Sequence, residues 1–205
     1  MCGKCEDICH NNAFEISGKL SSAFELAQEV LKDELFMKGS GGGVTFSGGE
    51  PLMQVDFCVE IAKILKKHNI NIAIDTSGFV KRKAIDKIIP YADTFLFDIK
   101  AIDEDVHIKC TGASNKQILD NIQYVDALGI PIEIRYPYIP TMNDTETEKI
   151  AEFVKNLKSV KCIKVLPYHN YAERKYECMG ISYPGSNIPL PTKEELELVK
   201  EKIKI

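Results

Sequence analysis

Thr94-Phe-Leu-Phe-Asp-Ile99 is a nearly continuous apolar run, and Lys100 follows it directly. A short strand that is apolar at both odd and even positions is typical of a parallel sheet covered by helices. Asp98 interrupts the run two residues before Lys100, so the two side chains lie on the same face of the strand. A plain ion pair would explain them. Burying a charge costs free energy, however, and a charge kept within an apolar run indicates a functional role for Asp98.

Similar runs on either side of this stretch predict a sheet of five strands, the other four at 43–46, 70–75, 130–135 and 162–166. Helices are predicted between and after them, at 22–37, 52–68, 81–89, 103–109, 116–128, 144–157 and after residue 192. Ser22 and Thr192 are each followed three residues later by Glu, which is the signature of a capping box. Strands that alternate with helices predict an α/β fold with parallel strands. Periodicity leaves open whether the sheet is doubly wound or forms a complete or partial barrel.

The composition is that of one globular domain, because 44% of the 205 residues are hydrophobic and 27% are charged. The formal net charge of −4 argues against a nucleic-acid-binding surface, since phosphates repel an acidic protein. No apolar run approaches the roughly 20 residues of a membrane helix, and the amino terminus does not have the shape of a signal peptide. We therefore expect a cytoplasmic protein with no nucleic-acid or membrane partner.

The sequence contains seven cysteines, and three of them, Cys2, Cys5 and Cys9, fall within the first nine residues. An odd number of cysteines in a domain of this size favours a metal or cluster site over a disulfide framework. The remaining four are scattered, and we interpret them as small buried side chains: Cys58, Cys110, Cys162 and Cys178.

Polar or glycine-rich residues follow every one of the five predicted strands. They are Ser47-Gly-Gly-Glu-Pro51, Asp75-Thr-Ser-Gly78, Asp98-Ile-Lys100, Arg135 and Leu166-Pro-Tyr-His169. Each of them alone has a simpler explanation, such as a turn, a helix cap, an ion pair or a solvated side chain. Parallel strands all end at the same edge of a sheet, so the five together predict one polar pocket there.

These residues resemble a known family, the glycyl-radical-enzyme activases, which are radical S-adenosylmethionine (SAM) enzymes. The resemblance rests on the string Gly41-Gly-Gly-Val-Thr-Phe-Ser-Gly-Gly-Glu-Pro-Leu52 and on four further motifs in the same order. Those motifs are Asp75-Thr-Ser-Gly-Phe79, Phe97-Asp-Ile-Lys100, Ile134-Arg-Tyr136 and Leu166-Pro-Tyr-His169. The resemblance implies a TIM-like partial barrel of six βα units, a [4Fe–4S] cluster and bound SAM.

The resemblance also implies roles for individual residues. Ser47, Gly48, Gly49 and Glu50 would hold the amino group of SAM, and Asp75, Thr76 and Asp98 would surround SAM and a monovalent cation. Lys100, Arg135 and His169 would contact the carboxylate and ribose of SAM. A ligand that carries an ammonium, a carboxylate and a sulfonium needs such acids, bases and close backbone approach.

The reaction implied is reductive cleavage of SAM to methionine and a 5′-deoxyadenosyl radical, which takes a hydrogen atom from a glycine of a partner enzyme. In such systems the cofactor performs the difficult chemistry and the protein positions it. The implied partners are a glycyl radical enzyme of the pyruvate formate-lyase kind and a flavodoxin or ferredoxin that donates electrons.

The beginning of the chain departs from the family pattern, because Cys2, Cys5 and Cys9 have C-x2-C-x3-C spacing where the family has C-x3-C-x2-C. Three interpretations stay open for residues 1–20. They are the remnant of a ferredoxin-like Fe–S insert, an altered SAM-cluster loop, or a zinc site. The first divides the chain into 1–20 and a partial barrel at 21–205. It implies that the family's first strand and cluster loop are missing, and that strand 43–46 is an edge open to pairing.

Two other classes of function compete with this one. A barrel aldolase or isomerase using Lys100 would need a phosphate-binding glycine loop late in the chain, and the glycine-rich string is early. An inactive fragment or an electron-carrier module would use only the cysteines and would leave the five strand-end motifs unexplained.

Overall fold

The computed structural model describes residues 4–11, 13–14, 16 and 18–204, and at its centre is one parallel sheet. The five strands are β1 (Gly43–Phe46), β2 (Asn71–Thr76), β3 (Thr94–Asp98), β4 (Ile132–Tyr138) and β5 (Val160–Pro167). Every neighbouring pair runs parallel. The five parallel strands expected from the sequence are confirmed.

The order of the strands in the sheet is β1-β2-β3-β4-β5, which is also their order along the chain. Each crossover therefore steps in the same direction. Because such connections are right-handed, the helices collect on one side of the sheet. A doubly wound sheet would reverse its order at some point and place helices on both sides. Within the described residues β1 pairs only with β2 and β5 only with β4, so the barrel expected from the sequence is present in its incomplete, open form.

The helices connect and flank these strands. They are α1 (Lys4–Ile8), α2 (Ala23–Leu31), α3 (Glu34–Ser40), α4 (Val55–Lys67), α5 (Arg82–Ile88), α6 (Glu104–Thr111), α7 (Lys116–Ala127), α8 (Thr147–Lys155), α9 (Glu173–Cys178) and α10 (Lys193–Lys202). Single 3₁₀ turns occupy Pro51–Gln54, Ile89–Tyr91 and Asp144–Glu146. Both predicted capping boxes are present, at the starts of α2 and α10.

The single helix predicted at 22–37 is wrong, because the chain forms two helices with Lys32 and Asp33 between them. α2 buries Ala23 and Ala27, whereas α3 has no buried residue. The helix therefore ends where its packing against the domain ends, and local periodicity does not contain that information.

The interpretation of the scattered cysteines as small buried side chains is confirmed for only one of them. Cys58 is buried, Cys110 and Cys162 are half-buried, and Cys178 is exposed at the end of α9. Burial of a cysteine depends on which helix face packs inward, and a short helix such as α9 gives little pattern from which to read that face.

The two faces of the sheet differ sharply in polarity. The face toward the helices carries the fully buried core, which includes Ile74, Phe97 and Ile134. The side chains that alternate with these are half-buried, and among them are Asp75 and Arg135. Because successive side chains of a strand point to opposite faces, the polar ones line the concave face of the open barrel.

The β1 edge is bordered by an apolar groove of about 330 Å³, lined by residues such as Leu26, Val30 and Phe57. Among the residues that the structure describes, β1 pairs with β2 on one side only. Gly43 is required here by close approach, since a Cβ at this position would lie 2.2 Å from the carbonyl oxygen of Asn71.

Candidate functional site

The carboxylate of Glu50 ties the loop after β1 to the loop after β2. Its Oε1 accepts hydrogen bonds from the Thr76 hydroxyl at 2.7 Å and from the Leu52 N–H at 3.2 Å. Its Oε2 accepts from the N–H and the hydroxyl of Ser77 at 3.0 and 2.8 Å. A carboxylate has about four acceptor positions, so the protein itself occupies all of them. By bonding to Thr76 and Ser77, Glu50 therefore fixes the position of the preceding glycine loop relative to the carboxyl end of β2.

The glycine loop at 47–49 is exposed above this tie. Gly48 has φ +130°, a conformation that L side chains rarely adopt, and a Cβ at Gly48 or Gly49 would meet no atom of the described residues within 4 Å. The loop therefore leaves open space above it and presents bare backbone to that space.

Asp75 and Arg135 join the ends of β2 and β4 across the concave face. The Arg135 Nη1 donates to the Asp75 Oδ2 at 2.8 Å, although the two residues are 60 positions apart in sequence. Burial raises the pKa of the Asp75 carboxyl, and Asp98 and Glu50 add to that rise while Arg135 opposes it. Burial, aided by the two acidic neighbours, therefore outweighs the arginine and favours the neutral form of the Asp75 carboxyl.

Asp98 and Lys100 lie beside this pair, at and just beyond the end of β3. The Lys100 Nζ is 3.3 Å from the Asp98 Oδ2, and both side chains are 29% exposed. The two-residue spacing predicted that they share a face, and this contact confirms it. Lys100 has three donor hydrogens and Asp98 takes one of them, which leaves donors for a ligand.

A second layer of charge lies on the same concave face and was missed at the sequence level. The Glu133 Oε2 accepts from the Lys164 Nζ at 2.8 Å, and the Glu133 Oε1 is 3.7 Å from the Arg135 Nε. Glu133 precedes Arg135 by two residues on one strand, so the alternation rule could have found it. Lys164 could not have been found in that way, because its place depends on the register that pairs Arg135 with Lys164 across β4 and β5.

His169 follows β5 but is outside this contact network in the described part of the chain. Its ring is exposed and stacks on Tyr171, with ring centroids 4.2 Å apart and the planes 26° apart. The structure therefore brings Glu50, Asp75, Asp98, Lys100 and Arg135 together through contacts and close charges, and presents His169 separately as part of an exposed aromatic pair.

The cysteines near the amino terminus form a separate feature. Cys5 and Cys9 line one cavity of about 340 Å³, together with Ile8 and Phe14. The backbone N–H of Ala13 donates to the Cys9 sulfur at 3.1 Å, and this bond leads the backbone contacts that lower the pKa of the Cys9 thiol. Cys2, the third predicted ligand, lies outside the described residues.

Among the residues that the structure describes, no three or more His, Cys, Asp or Glu side chains are grouped so as to hold a metal ion. In the same part of the chain, no helix has both the length and the apolar character needed to cross a lipid bilayer.

An incomplete parallel α/β barrel with acids and bases at the carboxyl edge of its strands is an architecture that enzymes use to hold a charged cofactor. The chain belongs to the Radical SAM superfamily, whose family model matches residues 7–154. Membership of this superfamily implies SAM and a [4Fe–4S] cluster as cofactors. The resemblance stated from the sequence motifs is confirmed.

Among curated proteins the chain is similar to the trans-4-hydroxy-L-proline dehydratase activating enzyme of Clostridioides difficile. The two are 42% identical over 195 residues, which cover 93% of this chain and 64% of that protein. It is also similar to the pyruvate formate-lyase-activating enzyme of Listeria monocytogenes, with 37% identity, covering 97% of this chain and 84% of that one. The chain thus spans less than two thirds of the length of the first of these relatives.

Among solved structures the chain is similar to a domain of pyruvate-formate lyase-activating enzyme from Bacteroides vulgatus. The TM-score is 0.66 at 28% identity, and the match covers 79% of this chain and 92% of that domain. This similarity and the five-stranded parallel sheet together agree with a partial TIM-like barrel.

Proposed function

We propose that this chain is the catalytic part of a cytoplasmic radical SAM activase that installs a glycyl radical on a partner enzyme. The observation that carries the proposal is the cluster of charges at the carboxyl edge of the sheet. Three carboxylates, on Glu50, Asp75 and Asp98, face two cations, on Lys100 and Arg135. The two relatives named above are both activating enzymes by name.

This charge count fits SAM. The ligand carries an ammonium and a sulfonium against one carboxylate, and so has one excess positive charge. Among these five side chains the site has one excess carboxylate, and the pKa of Asp75 is raised by burial and also by its acidic neighbours. A ligand with one excess positive charge, such as SAM, or a monovalent cation beside Asp75 and Asp98 would balance that carboxylate.

The carboxylate of SAM would be held by Lys100 and Arg135. Within the described residues the Arg135 Nη1 donates to Asp75, and the buried Arg135 Nε lies 3.7 Å from the Glu133 Oε1. A guanidinium has five donor hydrogens in a fork that suits a carboxylate. Arg135 can therefore keep Asp75 and accept a ligand at the same time.

The ammonium of SAM would meet the exposed glycine loop, Ser47, Gly48 and Gly49. Since the acceptor positions of Glu50 are used by Leu52, Thr76 and Ser77, Glu50 would act by holding the loop and by its charge. Asp75, Thr76 and Asp98 would surround a monovalent cation, and His169 with Tyr171 would offer a ring face and a hydrogen bond to the nucleoside.

Cys2, Cys5 and Cys9 would hold an Fe–S cluster, which is the SAM-binding cluster if residues 1–20 are an altered cluster loop and an auxiliary cluster if they are the remnant of an Fe–S insert. The thiolate is the form of cysteine that binds metal, and the N–H bonds to the Cys9 sulfur favour it. When bound together, the cluster and SAM supply a one-electron reductive cleavage whose organic radical takes a hydrogen atom from a glycine of the partner. A flavodoxin or ferredoxin would donate the electron. The division of the chain at residue 20 stays a prediction.

The test is anaerobic purification and cluster reconstitution, followed by iron and sulfide analysis and by measurement of methionine and 5′-deoxyadenosine after reduction. Two partners are then offered separately, trans-4-hydroxy-L-proline dehydratase and pyruvate formate-lyase, and the glycyl radical is measured by electron paramagnetic resonance. We expect a radical on one of them. SAM cleavage without a radical on either partner would contradict the activase assignment, and iron uptake without SAM cleavage would favour an electron carrier.

A further inference from the structure

The backbone segment at 100–103, which leaves the sheet after β3, is held by buried side chains instead of a strand neighbour. The Asn115 Nδ2 donates to the carbonyl oxygens of Ala101 and Ile102, at 3.0 and 2.7 Å. The Glu146 Oε2 accepts from the N–H groups of Ile102 and Asp103, both at 2.8 Å. Buried backbone groups need such partners, so the conformation of this segment depends on them.

Asn143 completes this arrangement and extends it to the next strand. Its Nδ2 donates to the carbonyl oxygen of Lys100 at 2.8 Å and to that of Pro137 at 2.7 Å. Its Oδ1 accepts from the N–H of Ile139 at 2.7 Å. The residue is 0% exposed, and both of its donor hydrogens are used.

This one carboxamide therefore joins two elements of the site. Lys100 is the residue whose carbonyl it holds, and Pro137 lies on β4 two residues after Arg135, on the same face. We propose that Asn143 is a positioning residue that sets the separation of Lys100 and Arg135, so that both cations reach one carboxylate of the ligand. The inference rests on the proposed function, because it takes that carboxylate to belong to SAM.

A purely structural role for Asn143 would lower stability without changing which ligand is preferred. Decarboxylated SAM separates the two cases, since it lacks the group that Lys100 and Arg135 would hold. Dissociation constants for SAM and for decarboxylated SAM are measured by equilibrium dialysis on the anaerobic, cluster-reconstituted full chain, and melting temperatures are recorded beside them.

The variants are Asn143→Ala, Asn115→Ala and the control Asp126→Ala. Asp126 is a matched control, because its Oδ1 also holds two backbone N–H groups, those of Lys158 and Ser159 at 2.8 and 2.6 Å. These two residues lie just before β5 begins, at the amino-terminal end of the strands, whereas the site lies at the carboxyl-terminal end.

We expect Asn143→Ala to weaken binding of SAM about tenfold and to leave decarboxylated SAM nearly unchanged, since misplacing a charge pair costs affinity only where the charges are used. Asn115→Ala should also weaken binding of SAM relative to decarboxylated SAM, but by a smaller factor. Asp126→Ala should leave both constants within about twofold despite its loss of stability. If Asn143→Ala does not fold, Asn143→Ser is judged by the same ratio.

An unchanged ratio of the two constants in Asn143→Ala, or in Asn143→Ser and Asn115→Ala together, would overturn the inference. An equal change of the ratio in Asp126→Ala would do so too. Failure of the unsubstituted chain to bind SAM would instead overturn the proposed function, and the positioning role with it.

Discussion

Thr141 occupies a backbone conformation that glycine would adopt more easily. It lies two residues before Asn143, whose side chain joins the segment after β3 to β4. The N–H of Met142 donates to the carbonyl oxygen of Ile139, which closes a turn with Pro140 and Thr141 at its centre. Thr141 has φ +66°. Proline followed by a residue of positive φ is the pattern of a type II turn, in which the second central position favours glycine.

The change Thr141→Gly should therefore stabilise the fold. The left-handed conformation costs an L residue about 1–2 kcal/mol, and more for a β-branched side chain. Glycine loses some of that gain, about 0.5–1 kcal/mol, because its unfolded chain is freer. Thr141 is exposed, so little packing is lost. The net gain is about 1 kcal/mol, which corresponds to a rise in melting temperature of about 2–4 °C for a chain of this size.

Differential scanning calorimetry or urea unfolding measures the effect, and two variants serve as controls. Thr141→Ala retains a Cβ and removes only the extra strain of the β-branch, so it should gain clearly less than Thr141→Gly. Asn69→Gly acts at φ 56°, where asparagine is already tolerated, and should gain less than Thr141→Gly. A melting temperature for Thr141→Gly at or below that of the unsubstituted chain would refute the argument from strain.

Three further outcomes are expected. Gly43→Ala should destabilise the fold by about 1–3 kcal/mol in urea unfolding, because its Cβ would collide with the Asn71 carbonyl, whereas Gly49→Ala meets open space and should not; equal effects would contradict the close approach. Asp98→Ala should raise the dissociation constant for SAM at least fivefold but lower the melting temperature by less than about 3 °C, because an ion pair this exposed contributes about 1 kcal/mol or less; the reverse ranking would favour a structural role. Asp75→Asn should gain stability relative to the unsubstituted chain as pH rises from below 3.8 to neutral. The pKa of Asp75 in the folded protein is raised above its ordinary value of 3.8. Its contribution to the free energy of unfolding is therefore complete below pH 3.8 and is lost as pH rises through the folded-state pKa. A difference in the free energy of unfolding between the two proteins that does not change with pH would contradict the shift.

Much of the fold was predictable because its signals are local. Five apolar runs separated by amphipathic segments indicated five parallel strands, and the structure has them. Ser22 and Thr192 marked helix starts through contacts that span only three residues. Alternation along a strand was enough to place Asp98 and Lys100 on one face, because their spacing of two residues equals the repeat of a strand.

Other features depended on contacts between distant parts of the chain, and no local pattern contains them. The break between α2 and α3 follows from where packing ends. The choice between a doubly wound sheet and an open barrel was settled by the order of the strands. Periodicity describes one element at a time, whereas strand order is a property of the whole chain.

The same distinction applies to the site. The residue types that collect at the carboxyl ends of the strands follow from the amino-acid sequence alone, because parallel strands share an edge. Their partners follow only from the folded chain: Arg135 reaches Asp75 across 60 positions, Glu50 is occupied by Thr76 and Ser77, and Asn143 holds Lys100. Those pairings depend on register between strands and on distances of a few ångströms, and these exist only once the sheet has formed.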